Sequence, residues 1–150
     1  GLVQALLHNP RILIVDEPTT GLDPEERIRI RNLLVDFAAD RIVLCSTHVT
    51  EDLAATCDKL CILRKGKLTY DGSVTELVSN AENHVFRCSF QNERDFQEFQ
   101  RNYKVTSKIY KANEIEVRFV NGRKPEFLCE LCTPNLEDAY IYNMYVKEND

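Results

Sequence analysis

Residues 12 to 23 read Ile12-Leu13-Ile14-Val15-Asp16-Glu17-Pro18-Thr19-Thr20-Gly21-Leu22-Asp23. Four apolar residues in a row, three of them β-branched, end abruptly at two carboxylates. Bounded by Asn9-Pro10 before it and by Pro18 and Gly21 after it, the run predicts a strand buried on both faces in a parallel sheet. Asp16 and Glu17 then emerge at its carboxyl end, where open α/β sheets bind their ligands. Two adjacent acids there suit holding a divalent cation and polarising a water. The matching phosphate cradle, Gly-x-x-x-x-Gly-Lys-Ser/Thr, occurs nowhere in the 150 residues.

Working outward, Gly1 to His8 reads as the tail of a helix with no cap at its start, so the chain is expected to continue something longer. Asp23-Pro24-Glu25-Glu26 is a strong helix start: a capping aspartate, proline at the first helical position, then acids against the dipole. Ile28, Leu33, Leu34 and Phe37 give that helix an apolar face ending near Asp40. A second buried strand, Ile42-Val43-Leu44-Cys45, leads into Ser46-Thr47-His48, and Thr50 to Thr56 is a short helix. Alternating buried strands and helices predict a parallel α/β core through about residue 60. Leu60–Leu63 and Lys67–Tyr70 then form a hairpin around Gly66 that adds an antiparallel edge. Ser73-Val74-Thr75-Glu76 has the pattern of a capping box.

Asn80-Ala81-Glu82-Asn83 reads as a linker, and the pattern beyond it changes to alternation. Strands are expected at 85–90, 105–110 and 115–120, a helix carrying Phe96 and Phe99 at 93–101, and a last helix from Asn135 to about Lys147 opened by Thr133-Pro134. Tyr140, Tyr142 and Tyr145 cannot all face one side of it, so some of them are expected at an interface. The reading divides the chain into an α/β part, residues 1–79, and a small α+β module, residues 80–150.

Charge and cysteine content restrict the function classes. The net charge is −5, with 9 basic and 12 acidic side chains in residues 1–79 against 10 and 12 in residues 80–150. Neither part has the basic excess of a nucleic-acid surface. The apolar runs fall far short of the ~20 residues that cross a bilayer, and no signal peptide is visible. Of the six cysteines, Cys45, Cys61 and Cys88 lie in apolar strands and are expected to be buried free thiols. Cys129-Glu130-Leu131-Cys132 has redox or zinc spacing, with Cys57 and Cys61 to complete a set, but a second Cys-x-x-Cys is missing. Reduced thiols in a cytosolic compartment fit better.

The segment 1–79 resembles the carboxyl-terminal half of the nucleotide-binding domain of ATP-binding-cassette (ABC) transporters. Ile12 to Glu17 looks like the Walker B strand and catalytic glutamate, Gly21-Leu22-Asp23 like the D-loop, and Ser46-Thr47-His48 like the switch-histidine motif. The resemblance implies a P-loop NTPase half-domain with parallel strands. It implies ATP and Mg2+ as cofactors, Asp16 holding the metal through a water, Glu17 orienting the attacking water and His48 sensing the γ-phosphate. Asp23 is implied to face a second copy across a dimer.

Thr133 to Tyr140 is similar to the Pro-Ser/Thr-Leu-Glu-Asp-Val-Phe close of the exporter branch, which implies a separate membrane permease as partner and a position on the inner face of the cell membrane. The family's phosphate loop, Gln loop, adenine-stacking aromatic and signature motif all precede the region matched, and Leu2–Leu7 resembles the helix that follows the signature. These 150 residues by themselves are therefore expected neither to bind nor to hydrolyse ATP, and to self-associate. Two other readings stay open: a regulatory or dimerisation module in residues 80–150, and a soluble, non-transport ABC-family ATPase.

Overall fold

Asp16 and Ser46 end two strands that run side by side in the same direction. In the structure, a computed structural model that describes residues 2–146, β1 (Ile12–Asp16) pairs parallel with β2 (Ile42–Ser46), Ile12 opposite Ile42 and Asp16 opposite Ser46. The chain separates into two compact units, residues 1–57 and 58–150. Gly1 and Lys147, placed at helix ends by the sequence, lie outside the described residues.

The first unit holds α1 (Leu2–Leu7), β1, α2 (Pro24–Ala38), β2 and α3 (Thr50–Thr56). Asp23 caps α2 as its sequence predicts: its side chain accepts from the Glu26 backbone N–H at 2.9 Å, with Pro24 in the first turn. Arg29 pairs with Glu25 and Glu26, both at 2.6 Å, on the exposed face. α2 lies against β2 and α3, and its Leu34 is buried.

The strands do not have two buried faces. Leu13 is 2% exposed, but Ile14 is 72% and Leu44 60% exposed, and Ile12 and Ile42 stand out on the same side. With two strands and helices packed on them, one face is covered; among the described residues nothing covers the other. Ile28 and Leu33 of α2 are likewise exposed, so only part of that helix's apolar stripe is used.

The second unit begins with β3 (Lys59–Arg64) and β4 (Lys67–Ser73), an antiparallel hairpin with a bulge at Ile62/Leu63. Its two turn residues, Lys65 and Gly66, both have positive φ, 48° and 76°, the conformation that suits a tight two-residue turn to the twist of the strands. Ser73 caps α4 (Val74–Asn80), accepting from the Glu76 N–H at 3.0 Å. Residues 81–83 form a turn with Ala81 fully buried, and α4 packs on α6 (Leu136–Tyr145).

A four-stranded antiparallel sheet follows in the order β6-β7-β5-β8, made of β5 (Val85–Phe90), β6 (Lys104–Tyr110), β7 (Ile115–Val120) and the two-residue β8 (Glu130–Leu131). α5 (Glu93–Asn102) lays Phe96 and Phe99 on it. Phe99 meets Phe119 edge-on at 4.9 Å and stacks on Tyr103 at 4.5 Å, contacts worth roughly 0.5–1.5 kcal/mol each beyond the area they bury. Phe86, Cys88, Ile115 and Val117 complete this core. Cys61, expected inside, is exposed because its side of β3 faces out, where its thiol meets Asp71 at 3.5 Å.

α6 is fastened by Asp138, which is fully buried. Asp138 accepts from the Arg118 guanidinium at 2.5 to 3.0 Å, from Thr106 Oγ1 at 2.6 Å and from the Asn135 backbone N–H at 2.9 Å. Asn135 reciprocates by capping the helix at the Asp138 N–H, a complete capping box. Of the three tyrosines of α6, Tyr142 is buried against His84, with their rings 4.5 Å apart, and Tyr145 is exposed. No helix among the described residues is long and apolar enough to cross a membrane.

Candidate functional site

β1 and β2 end level, and the segments that follow them leave the sheet at the same edge. Glu17 continues the ladder by one bond, its N–H donating to the Ser46 carbonyl at 2.9 Å, and then turns out of the strand with φ of 46°. A non-glycine residue in the left-handed region is uncommon and is held by its surroundings. Here four groups hold it, through the side chain.

His48 meets Glu17 Oε1 twice, its backbone N–H donating at 3.0 Å and its ring Nδ1 lying at 2.7 Å. Oε2 accepts from Thr20 Oγ1 at 3.0 Å and from Thr47 Oγ1 at 3.2 Å. These contacts, the one to the His48 side chain first among them, hold the Glu17 carboxyl below its usual pKa despite some desolvation. Glu17 is therefore a carboxylate at neutral pH, and its two oxygens already accept four contacts.

Asp16 has a different environment. It ends β1 exposed, and its Oδ1 accepts a hydrogen bond from Ser46 Oγ. Arg41, a conceivable partner for either acid, pairs with Asp40 instead, at 2.5 Å. Asp23 is exposed at the start of α2 and engaged in capping it. The structure thus brings Asp16, Glu17 and His48 to one edge of the parallel pair, with Asp23 six residues further along the loop from Glu17.

Ser46, Thr20 and Thr47 are hydrogen-bonding neighbours of the two acids that composition and periodicity do not reveal. The only local signals are the i, i+3 spacing of Glu17 and Thr20 and the place of Ser46 and Thr47 beside His48. Thr19 is also more than a turn residue: it is buried and bonded to Asp52.

The donor chemistry at this edge is hard oxygen, from carboxylate and hydroxyl groups, which suits Mg2+ rather than a soft metal. Among the described residues no group of three or more His, Cys, Asp or Glu side chains could enclose a metal. That is compatible with magnesium, which characteristically takes one or two carboxylates and completes its sphere with water and phosphate oxygens.

An ABC transporter ATP-binding protein of Bacillus subtilis, YxlF, is 34% identical over 111 residues, which is 74% of this chain and 37% of that protein. The chain belongs to the ABC transporter ATP-binding proteins. A second B. subtilis ABC transporter ATP-binding protein, YhcH, is 29% identical over 155 residues, covering 94% of this chain and 50% of its own length. The Nod factor export ATP-binding protein I of Rhizobium meliloti is 43% identical over 81 residues, 51% of this chain and 23% of that protein. The chain spans half or less of the length of these curated ABC relatives. No family model matches it.

Proposed function

We propose that the chain is the carboxyl-terminal part of an ATP-hydrolysing subunit that powers export through a separate membrane permease. The observation that carries this reading is the convergence of Asp16, Glu17 and His48 at one sheet edge in a chain homologous to ABC ATP-binding proteins. The nucleotide-binding part runs to residue 79 as the carboxyl-terminal half of a P-loop NTPase domain. Residues 80–150 are the accessory module.

In this reading Asp16 would hold the magnesium of Mg-ATP, with Ser46 Oγ orienting its carboxylate. The bound metal would neutralise phosphate charge. Glu17, kept ionised by His48, Thr20 and Thr47, orients the attacking water and accepts its proton. Because both of its oxygens are engaged, a contact must yield as the water is bound. The longest, from Thr47 at 3.2 Å, is the one that costs least to lose. His48 then serves two ends, holding Glu17 through its backbone and Nδ1 and presenting the rest of its exposed ring to the γ-phosphate. Asp23 faces the second copy of the subunit, its capping of α2 fixing the loop that carries it.

The proposed partners are a permease and a second subunit, at the cytoplasmic face of the membrane. Export is favoured by the presence of Nod factor export ATP-binding proteins among the relatives and by the Leu136-Glu137-Asp138 close. In the structure that close builds the capping box and the Arg118–Asp138 pair.

The 150 residues contain no phosphate loop, and a backbone-amide cradle with its lysine supplies the charge-assisted bonds to the β- and γ-phosphates. The chain alone is accordingly proposed to bind no ATP. Isothermal titration calorimetry with Mg-ATP tests this: a flat titration is expected, and micromolar binding would refute it.

A further inference from the structure

The loop carrying Glu17 and the segment carrying His48 are tied together a second time, beneath the Glu17 carboxylate. Thr19, two residues beyond Glu17, is 2% exposed, and its hydroxyl donates to Asp52 Oδ2 at 2.5 Å. Asp52 is 5% exposed and stands in the first turn of α3, four residues beyond His48. Arg31, in the middle of α2, reaches the other oxygen of the same carboxylate, Oδ1, at 3.4 Å. The three segments that carry Glu17, Asp23 and His48 therefore meet at one buried side chain. The space left between them, lined by Thr19, Arg31, Thr47 and Asp52 among others, is only about 20 Å³.

Two features argue that this carboxylate serves geometry. Asp52 is the third residue of α3, where an acid ordinarily turns back to the helix cap; here Val49 caps the helix without a side-chain bond, and Asp52 points across to Thr19 instead. A buried ion pair is also a poor source of net stability, since desolvating the charges consumes most of what their attraction returns. What Asp52 supplies is a fixed distance between two loops that have no strand pairing beyond the Glu17–Ser46 bond.

We propose that Asp52 is a positioning residue for the Glu17–His48 pair, fixing through Thr19 and Arg31 the 17–22 loop against the start of α3. The functional meaning of the pair rests on the water-activating reading of Glu17 and His48, but the test needs no nucleotide. Its readout is the backbone amide of His48, which donates to Glu17 Oε1, compared with the amide of Ile42, which donates to the Arg11 carbonyl at the far end of the strands. Solvent exchange of both is measured by NMR in Thr19→Val, Thr19→Ser and Asp52→Ala.

Thr19→Val keeps the shape and deletes the hydroxyl. It is expected to speed exchange at His48 by about tenfold relative to Ile42, as a local opening does. Thr19→Ser restores the hydroxyl and is expected to restore His48, while Asp52→Ala reproduces the effect of Thr19→Val. An equal acceleration at both amides would reduce Asp52 to general stability and overturn the proposal, as would an unchanged His48. Failure of the water-activating reading shows elsewhere, as unaltered turnover after Glu17→Gln, and leaves the exchange result standing.

Discussion

One carboxylate oxygen of Glu17 takes both contacts from His48, the backbone N–H at 3.0 Å and the ring Nδ1 at 2.7 Å, across a sequence separation of 31 residues. The two residues leave neighbouring parallel strands at the same level, so the pairing of β1 with β2 sets their distance before any ligand arrives. That arrangement makes the ionisation of Glu17 a direct report on the site.

Glu17 is expected to titrate below the ordinary carboxylate range because the His48 contact, above all, favours its charged form. A folded-state value depressed below the unfolded one contributes stability that is present above the unfolded pKa and is lost as pH falls through the folded pKa. Carbon-detected NMR of the Glu17 carboxyl checks the direction. His48→Ala is expected to move it back up toward the range of a free glutamate; a midpoint unmoved by that substitution would mean that Thr20, Thr47 and the backbone N–H of residue 48 hold the charge without the ring.

Asp23 is expected to matter for stability whatever else it does. Asp23→Ala removes the side-chain acceptor for the Glu26 N–H and should cost about 0.5–2 kcal/mol, whereas Asp23→Asn, which caps as well, should change little. Urea denaturation followed by helical circular dichroism distinguishes the two. Equal losses from both would assign the cost to charge rather than to capping.

Asp138 is expected to be the most sensitive polar position of the second unit. Asp138→Ala leaves the Arg118 guanidinium and Thr106 without their common acceptor and breaks the capping box of α6. Breaking one side of such a buried pair costs roughly 3–5 kcal/mol. A loss of unfolding free energy of that size, read from urea denaturation, is the expected result; a loss within experimental scatter would show that Arg118 simply swings to water.

The open face of β1 and β2 predicts behaviour in solution. Ile14 and Leu44 are exposed side chains on adjacent strands, and exposed apolar patches of this kind promote association. Replacing both with threonine, whose β-branched shape suits a strand, is expected to alter stability little. Concentration-dependent association seen by analytical ultracentrifugation should decline. Association that persists unchanged would place the contact elsewhere.

Much of this was legible in the residues, for reasons that differ from place to place. The run Ile12–Val15 and the Asp23-Pro24 cap are local signals, and the strand and helix start where those signals lie. Lys65-Gly66 and the alternation of Ile115, Val117 and Phe119 are equally local, and the hairpin and β7 follow them. Two-sided burial was not legible, because an apolar run states what a strand tolerates and not what lies against it; in this chain one face of β1 and β2 has no cover among the described residues.

β8 escaped because two residues have no period. The work of Asp138 and Asp52 escaped for a shared reason. An acid in the first turn of a helix looks like a dipole or capping residue, and only tertiary structure shows Arg118 and Thr106 arriving at one and Thr19 and Arg31 at the other. Within the candidate site, Asp16, Glu17 and His48 were marked by their order in the family pattern, whereas Ser46, Thr20 and Thr47 became visible as partners only once the strands were paired.

The proposed function turns on Glu17 as the residue that activates water. Its direct test is steady-state ATP hydrolysis, together with retention of bound nucleotide, by the full-length protein carrying these residues, compared with its Glu17→Gln variant. The substitution keeps the hydrogen-bonding shape and removes the base, so turnover is expected to fall by about 10²–10⁴-fold while ATP stays bound. Turnover unchanged from the parent protein would contradict it.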